Sequence, residues 1–183
     1  MTNDPIAETL GWLDGTVANP RNADLFPDGE RSKIVRELAE RWTRENRLDL
    51  LNGLAKQHGE EEVFAVIDAV VADNCRRDWG RMGREEADNS LTAFIRKLWG
   101  PLKDQGFEYT FETTGNVTTF RVTRCPIFDL ARKAGAEKWL YHLVCLTDKH
   151  TSESFNPRIR FSRDHTLMQG HAYCDHRYTE LSG

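Results

Sequence analysis

Several features that would assign a function class directly are missing from this sequence. Its 183 residues carry a net charge of −4, so no excess of basic residues predicts general affinity for nucleic-acid phosphates. No apolar run approaches the roughly 20 residues that cross a bilayer. The first residues include acids where a secretory signal carries basic residues. We therefore expect a cytoplasmic protein that binds neither nucleic acid nor membrane.

Familiar nucleotide-binding and hydrolase motifs are absent as well. The chain contains no GxxxxGKS/T, GxGxxG or GxSxG motif, which disfavours nucleotide, dinucleotide and α/β-hydrolase sites. It has four cysteines but no CxxC pair. In a reducing compartment such cysteines are expected to be thiols, ligands or nucleophiles rather than disulfides. What the chain does contain is a concentration of cysteine and histidine in its last third.

Hydrophobic patterning predicts an α+β fold, in which a helical N-terminal half packs on a C-terminal antiparallel sheet of about four strands with an inserted helical pair. Residues 1–30 contain three prolines and little periodicity, and are expected to form an irregular N-terminal arm with a short helix around Ile6–Leu13. Residues 31–105 are predicted to be helical, and residues 106–183 to form an α+β region that carries the functional site. We expect residues 31–183 to be one compact domain.

Three helices are predicted within the helical region. The first begins near Ser32, and the second at Glu60–Glu62, where acids favour the positive end of the helix dipole. The third has Ser90 as its N-cap. Gly80 and Gly83 are expected to loosen the chain after the second helix.

Alternation of apolar and polar residues predicts the sheet. The strands are expected in a hairpin over residues 107–122 and in two later segments, 158–163 and 171–178. Between the hairpin and the third strand, Pro126 is expected to start one helix, and residues 137–148 are expected to form a second.

Cys125 is the first candidate catalytic residue. It precedes Pro126, which favours the first helical position, so Cys125 is expected to be a helix N-cap. A thiol there would feel the helix dipole and the charge of Arg124, and both favour the thiolate. A small residue at a strand-to-helix corner explains the same pattern equally well.

Cys145 and Asp148 form a second candidate pair. They lie three residues apart on one predicted helix, so they share a face close to its C-terminus. The apolar setting makes a buried, inert cysteine the simplest interpretation of Cys145. Asp148 would oppose the helix dipole there, so it should have a partner such as His150, an arginine, a metal or a substrate.

Cys174 and His176 are predicted to share one face of the last strand. They could act as a thiolate and its base, or as two metal ligands; an inward cysteine beside outward polar residues is the ordinary structural alternative. Arg160 and Arg163, on the preceding strand, are typical of a solvated strand face but could also bind a substrate carboxylate.

A metal site is a second kind of chemistry that these residues allow. Cys125, Cys145 and Cys174 with a histidine could hold zinc, and three cysteines with one open position would suit an iron–sulfur cluster. The spacings match no common zinc finger. We therefore expect no cofactor, with zinc or an iron–sulfur cluster as the alternative.

The order of several residues resembles the L-2-amino-thiazoline-4-carboxylic acid hydrolase family. The resemblance covers roughly residues 90–178. It rests on an ordered set of short segments, which are Arg124-Cys125-Pro126, Cys145-Leu146-Thr147-Asp148, Phe155-Asn156-Pro157, Thr166-Leu167 with Gly170, and Cys174.

That family is named for an enzyme that opens a thiazoline ring with water and gives an N-carbamoyl cysteine. The resemblance implies a small-molecule hydrolase in which the three cysteines lie near one another. We expect Cys125 to be the nucleophile, and Asp148 or His176 to move protons. The residues expected to bind substrate are Arg124, Asn156, Arg160, Arg163 and Gly170. A non-enzymatic small-molecule-binding module, in which the cysteines pack the core, is the alternative, and a homo-oligomer is compatible with either.

Overall fold

The computed structural model describes residues 4–182 and confirms the α+β fold, with helices first and a four-stranded antiparallel sheet near the C-terminus. The chain divides into two compact units between Asn74 and Cys75. This division differs from the change of organisation predicted near residue 105. No helix within the described part of the chain is long and apolar enough to span a membrane.

The first unit is helical. Its elements, in chain order, are α1 (Pro5–Leu10), a 3-10 turn (Gly11–Leu13), α2 (Asp14–Val17), a 3-10 turn (Pro20–Leu25), α3 (Gly29–Arg41), α4 (Arg47–His58) and the first part of α5 (Glu60–Glu85). Its buried side chains come from every helix and include Ile6, Ile34, Trp42, Leu51 and Val66.

The segment predicted to be an irregular arm is thus mostly short helices. Asp4 caps α1, because its side chain accepts a hydrogen bond from the Ala7 amide at 3.0 Å, and Pro5 occupies the first helical position. The buried guanidinium of Arg47 then bonds to Asp4 at 3.3 Å and to Asp14 at 3.1 Å. These ion pairs join residues far apart in sequence, so hydrophobic periodicity could not reveal them.

The second unit holds the sheet. Its elements are the rest of α5, α6 (Leu91–Trp99), a 3-10 turn (Gly100–Leu102), β1 (Glu108–Thr114), β2 (Val117–Arg124), α7 (Pro126–Ala134), α8 (Glu137–Leu140), a π-helical turn (Tyr141–Cys145), α9 (Thr147–Phe155), β3 (Ile159–Ser162), a 3-10 turn (Leu167–Gln169) and β4 (Cys174–Glu180). The strand order is β1-β2-β4-β3, and every pair is antiparallel.

Helix α5 continues through Gly80 and Gly83, so the loosening predicted there is wrong. A Cβ atom built on Gly83 would lie 1.8 Å from the carbonyl oxygen of Phe155, at the end of α9. Glycine is therefore required at this position because the backbone of α9 approaches the helix too closely for any side chain.

The helix predicted over residues 137–148 is interrupted. A π-helical turn spans Tyr141–Cys145, and the Leu146 amide donates to the Tyr141 carbonyl at 3.1 Å. Helix α9 begins after it, and Asp148 lies in its first turn. The prediction that Asp148 lies near a helix C-terminus is therefore wrong, because the dipole of α9 favours an acid at its N-terminal end.

An aromatic core lies on the inner face of the sheet. Trp99 stacks on Phe120 with ring centroids 3.9 Å apart, and Phe94 contacts Tyr178 at 5.4 Å and Phe155 at 5.6 Å. All five side chains are buried. Burial of such rings dominates the stability of a small core, so the inner face of the sheet is held in place rigidly.

Candidate functional site

Three charged or polar side chains converge in the second unit. Asp148 comes from the first turn of α9, Arg163 follows β3 directly, and His176 lies on β4. The Asp148 Oδ2 atom lies 2.5 Å from Arg163 Nη1 and 3.2 Å from His176 Nε2. The partner that Asp148 was predicted to need is therefore an arginine, with a histidine beside it.

The carboxylate of Asp148 is ionised in this setting. Burial opposes its ionisation, but the neighbouring His176 and Arg163 outweigh burial and lower the pKa of Asp148 below its ordinary value. Burial likewise opposes the charge of Arg163, and Asp148 and other nearby groups raise the pKa of that guanidinium. The two side chains therefore form a charged pair, in which Arg163 is buried and Asp148 is partly buried.

Arg163 also supports the π-helical turn. Its Nη2 atom donates to the carbonyl oxygen of Cys145 at 3.0 Å, and the Thr147 hydroxyl donates to the carbonyl of Val144 at 2.6 Å. A π-helical turn leaves carbonyl groups without their usual helical partners, so these side chains replace the missing bonds. One guanidinium thereby fixes both the turn and the carboxylate of Asp148.

Among the described residues, only one of the two ring nitrogens of His176 has a polar neighbour within hydrogen-bonding distance. Nε2 lies 3.2 Å from Asp148 Oδ2 and 3.3 Å from Arg163 Nη1, which already donates to the same carboxylate. We assign the Nε2 proton to the bond with Asp148, because that oxygen is the acceptor within reach. Nδ1 is buried and has no hydrogen-bond partner within residues 4–182. The carboxylate thus orients an imidazole whose other nitrogen can accept a proton.

Cys125 is the N-cap of α7 with Pro126 at the first helical position, as predicted. The predicted thiolate is wrong. Burial raises the pKa of Cys125 to about 11, although the amides of Ile127 and Phe128 act in the opposite direction. Arg124 does not offset this rise in the pKa of Cys125, because its guanidinium lies near Glu108 and Asp129 at the surface.

The thiols of Cys145 and Cys174 are also neutral. Burial raises the pKa of both. The Leu167 amide donates to Cys174 Sγ at 3.2 Å. Charge on Cys125 or on Cys174 would raise the pKa of Cys145 further, which places the three thiols within electrostatic range of one another and of Asp148.

Four residues predicted to bind substrate lie outside this cluster. Arg160 donates to the carbonyls of Pro157 and Ile159 at the surface. Asn156 is buried and donates to the Asn89 carbonyl at 2.9 Å. Gly170 closes the last 3-10 turn with a positive φ of 88°, which explains the glycine. Together with the exposed Arg124, these residues keep their substrate role only as a prediction, as does Arg163.

The geometry gives the metal alternative no support. Within residues 4–182, no group of three or more His, Cys, Asp or Glu side chains is placed so that it could hold a metal ion. Cys125, Cys145 and Cys174 are therefore neighbours without forming a ligand set.

Sequence reasoning missed Trp99 and Tyr178, which border the cluster. Tyr178 lies two residues beyond His176 on the same buried face of β4, so continuing the strand's alternation would have found it. Trp99 ends α6, and its ring lies 5.0 Å from that of His176. Nothing in the local sequence distinguishes it from an ordinary core tryptophan.

Comparison with known proteins gives one match. The family model described as L-2-amino-thiazoline-4-carboxylic acid hydrolase matches residues 38–178. No curated protein matches the chain, and neither does any solved structure. The match extends further toward the N-terminus than the segments that carried the resemblance, and it contains every member of the cluster around Asp148.

Proposed function

Because the chain belongs to the L-2-amino-thiazoline-4-carboxylic acid hydrolase family, we propose that it is a hydrolase that opens a small cyclic amidine-like substrate. The observation that carries this proposal is the contact between Asp148 and the buried His176, with Arg163 on the same carboxylate and three thiols nearby. A carboxylate that orients a histidine is the arrangement that general base catalysis needs.

The reaction on 2-amino-thiazoline-4-carboxylate is a hydrolysis at the amidine carbon. The oxygen of water bonds to that carbon, and the bond between the carbon and the ring sulfur breaks. One proton of the water goes to the sulfur and the other to the ring nitrogen. The product is an N-carbamoyl cysteine with a free thiol, and no oxidant, reductant or cofactor is needed.

His176 is the proposed proton acceptor. Its Nε2 atom is held by Asp148, whereas its Nδ1 atom has no hydrogen-bond partner among the described residues. The charge on Asp148 stabilises the imidazolium that forms when Nδ1 takes a proton. Arg163 keeps that carboxylate in place and ionised.

Cys125 is the proposed nucleophile in a cysteine-dependent route. Its thiol is neutral at rest, so attack on the amidine carbon requires a base to take the thiol proton as the C–S bond forms. The amides of Ile127 and Phe128 face its sulfur and stabilise the charge that develops there. The bond between that carbon and the ring sulfur then breaks as the ring sulfur takes up the proton, which leaves an isothiourea that joins Cys125 to the substrate. Water adds to the same carbon in a second step and expels the Cys125 thiol, which gives the N-carbamoyl product.

The test is the release of a free thiol from 2-amino-thiazoline-4-carboxylate, followed with a chromogenic disulfide reagent after the protein has been removed. We expect turnover by the wild type and a loss of kcat of about 100-fold or more in His176→Gln. His165→Gln is the matched control, because His165 is partly exposed and pairs with Asp175 at 3.4 Å rather than with Asp148. Absence of thiol release by the wild type would overturn the proposal.

The cysteine-dependent route is tested separately by Cys125→Ser. Cys75→Ser is the control, since Cys75 is a buried thiol whose hydrogen bond goes to Thr151 at 3.5 Å. We expect only the first variant to lose turnover while both stay folded. Full turnover by Cys125→Ser would show that Cys125 is not the nucleophile. Water, activated by His176, would then be the attacking group.

A further inference from the structure

Three aromatic side chains beside Asp148 each carry a buried polar atom that is not satisfied. These atoms are Trp99 Nε1, Tyr178 Oη and His176 Nδ1, and none has a hydrogen-bond partner of ordinary geometry within the described residues, although Trp99 Nε1 lies near Tyr178 Oη. Burying a polar group without a partner costs about 1–3 kcal/mol, and native proteins rarely tolerate it without a reason. Three such atoms close together therefore call for an explanation.

The three rings contact one another. The Trp99 ring lies 5.0 Å from the His176 ring and 6.5 Å from the Tyr178 ring, in edge-to-face arrangements. His176 and Tyr178 share the buried face of β4. Phe161, which is half-buried, packs on both of these rings at 5.8 and 5.2 Å. The three polar atoms thus belong to a single aromatic group.

The hydrogen-bonding roles of the three atoms are complementary. The indole N–H of Trp99 can only donate, the hydroxyl of Tyr178 can donate, and Nδ1 of His176 can accept a proton. Burial, with a contribution from the charge of Asp148, raises the pKa of Tyr178 well above its ordinary value, and the indole N–H of Trp99 only partly opposes this. The phenol therefore keeps its proton and remains a donor.

A nearby, partly buried tyrosine has a hydroxyl whose hydrogen bond is satisfied within the same aromatic cluster. Tyr109 packs on Trp99 with ring centroids 5.1 Å apart, and its hydroxyl donates to the Trp99 carbonyl at 2.8 Å. The same aromatic cluster thus satisfies one tyrosine hydroxyl and leaves the other unsatisfied. This contrast separates Tyr178 from a tyrosine that only supports the fold.

We propose that Trp99 Nε1 and Tyr178 Oη are the donors that bind the reacting group of the substrate next to the basic nitrogen of His176. This inference rests on the proposed function and adds two catalytic residues to it. When a nucleophile adds to the amidine carbon, electron density moves onto the ring heteroatoms. Neutral donors shielded from water stabilise that density strongly. Since none of the three atoms is exposed to solvent, substrate binding must displace side chains that cover them.

The test compares Tyr178→Phe with Tyr109→Phe in the thiol-release assay, together with thermal unfolding of each protein. Tyr178→Phe should lower kcat by about 100-fold with little change in KM, because the donor acts on charge that develops in the transition state. Its Tm should be unchanged or higher, since an unsatisfied hydroxyl has been removed. Tyr109→Phe should keep kcat and lower Tm, because it loses a hydrogen bond of the fold.

Trp99→Phe is a second variant, which removes the indole N–H while keeping a ring against Phe120. It should lower kcat in the same direction as Tyr178→Phe. A Tyr178→Phe protein with wild-type kcat overturns this assignment alone, and so does one that loses kcat together with a fall in Tm as large as that of Tyr109→Phe. A wild type that releases no thiol overturns the proposed function, and this assignment with it.

Discussion

Asp148 is the residue on which the charged cluster depends. Its carboxylate lies between a guanidinium and an imidazole, and Arg163 has a side chain only 6% exposed. A cation buried to that extent requires a compensating charge, because water cannot solvate it. The value of Asp148 to the protein is therefore structural as well as chemical.

Replacing Asp148 with Asn should destabilise the protein by about 3 kcal/mol, because the change leaves the buried guanidinium of Arg163 without its anion. The free energy of unfolding in urea measures this effect. Glu108→Gln is the control, since it breaks an exposed ion pair with Arg124 and such pairs contribute little. Equal effects of the two substitutions would contradict the buried ion pair.

The stabilisation by Asp148 should also depend on pH. Its pKa is lowered in the folded state, so its contribution is fully present above the ordinary value of 3.8 and is lost as the pH falls through the folded value. The difference in unfolding free energy between wild type and Asp148→Asn should therefore shrink below about pH 4. A difference in unfolding free energy that grows on acidification would show that folding raises the pKa of Asp148 instead of lowering it.

The thiol of Cys125 should react slowly at neutral pH. With a pKa of about 11, roughly one molecule in ten thousand carries the thiolate at pH 7. Alkylation by iodoacetamide, located by peptide mass spectrometry, should accelerate about tenfold per pH unit up to pH 10. The urea-unfolded chain is the control and should react much faster at pH 7. A plateau in rate below pH 9 in the folded protein would refute the raised pKa.

At the scale of elements, the path from α8 to α9 determines where the site residues lie. A regular helix over residues 137–155 would keep Cys145 and Asp148 on one face, but the π-helical turn adds a residue and shifts the register of everything after it. Asp148 then enters the first turn of α9, opposite Arg163. The end of α9 is in turn fixed by its close approach to Gly83.

Gly83→Ala should be strongly destabilising, because the added methyl group would overlap the carbonyl oxygen of Phe155. We expect a loss of about 3 kcal/mol in the free energy of unfolding. Gly80→Ala, on the same helix, is the matched control. Its Cβ would lie 3.4 Å from the flexible end of Arg84, so the gain in helix propensity should leave it neutral or slightly stabilising. Similar effects at both positions would argue against the close approach.

At the scale of the whole molecule, the sheet of the second unit is covered unevenly. Strands β2 and β4 are central, whereas β1 is an edge strand with most of its residues exposed, including Phe111 at 55%. The candidate site lies against β4, one of the two central strands. His176 and Tyr178 are thus placed on a strand with hydrogen bonds on both sides, which holds their geometry precisely.

Hydrogen exchange should reveal this difference. Amides of β2 and β4 should exchange most slowly, because opening them requires disruption of two strand pairings, and those of β1 should exchange faster. Exchange followed by mass spectrometry on overlapping peptides gives the comparison within one protein. Protection of β1 equal to that of β2 would indicate that something else covers the edge.

The sequence by itself determined the local elements of this protein. Helical periodicity, the Ser90 cap and the alternation of residues 107–122 predicted α6 and the hairpin, and the order Cys125-Pro126 predicted the start of α7. Such features depend on neighbours within a few residues, so a linear pattern contains them. The ordered short segments around the cysteines also indicated the family, which the match over residues 38–178 confirms.

Only the tertiary structure decided the charges and contacts of the site. The pairing of Asp148 with Arg163 and His176 joins α9 to the end of β3 and to β4, and no spacing in the sequence specifies it. The sequence led us to expect that the helix N-terminus would lower the pKa of Cys125. In the folded protein, burial outweighs that local effect and raises the pKa. Desolvation depends on everything that surrounds a group, so it is known only once the chain has folded.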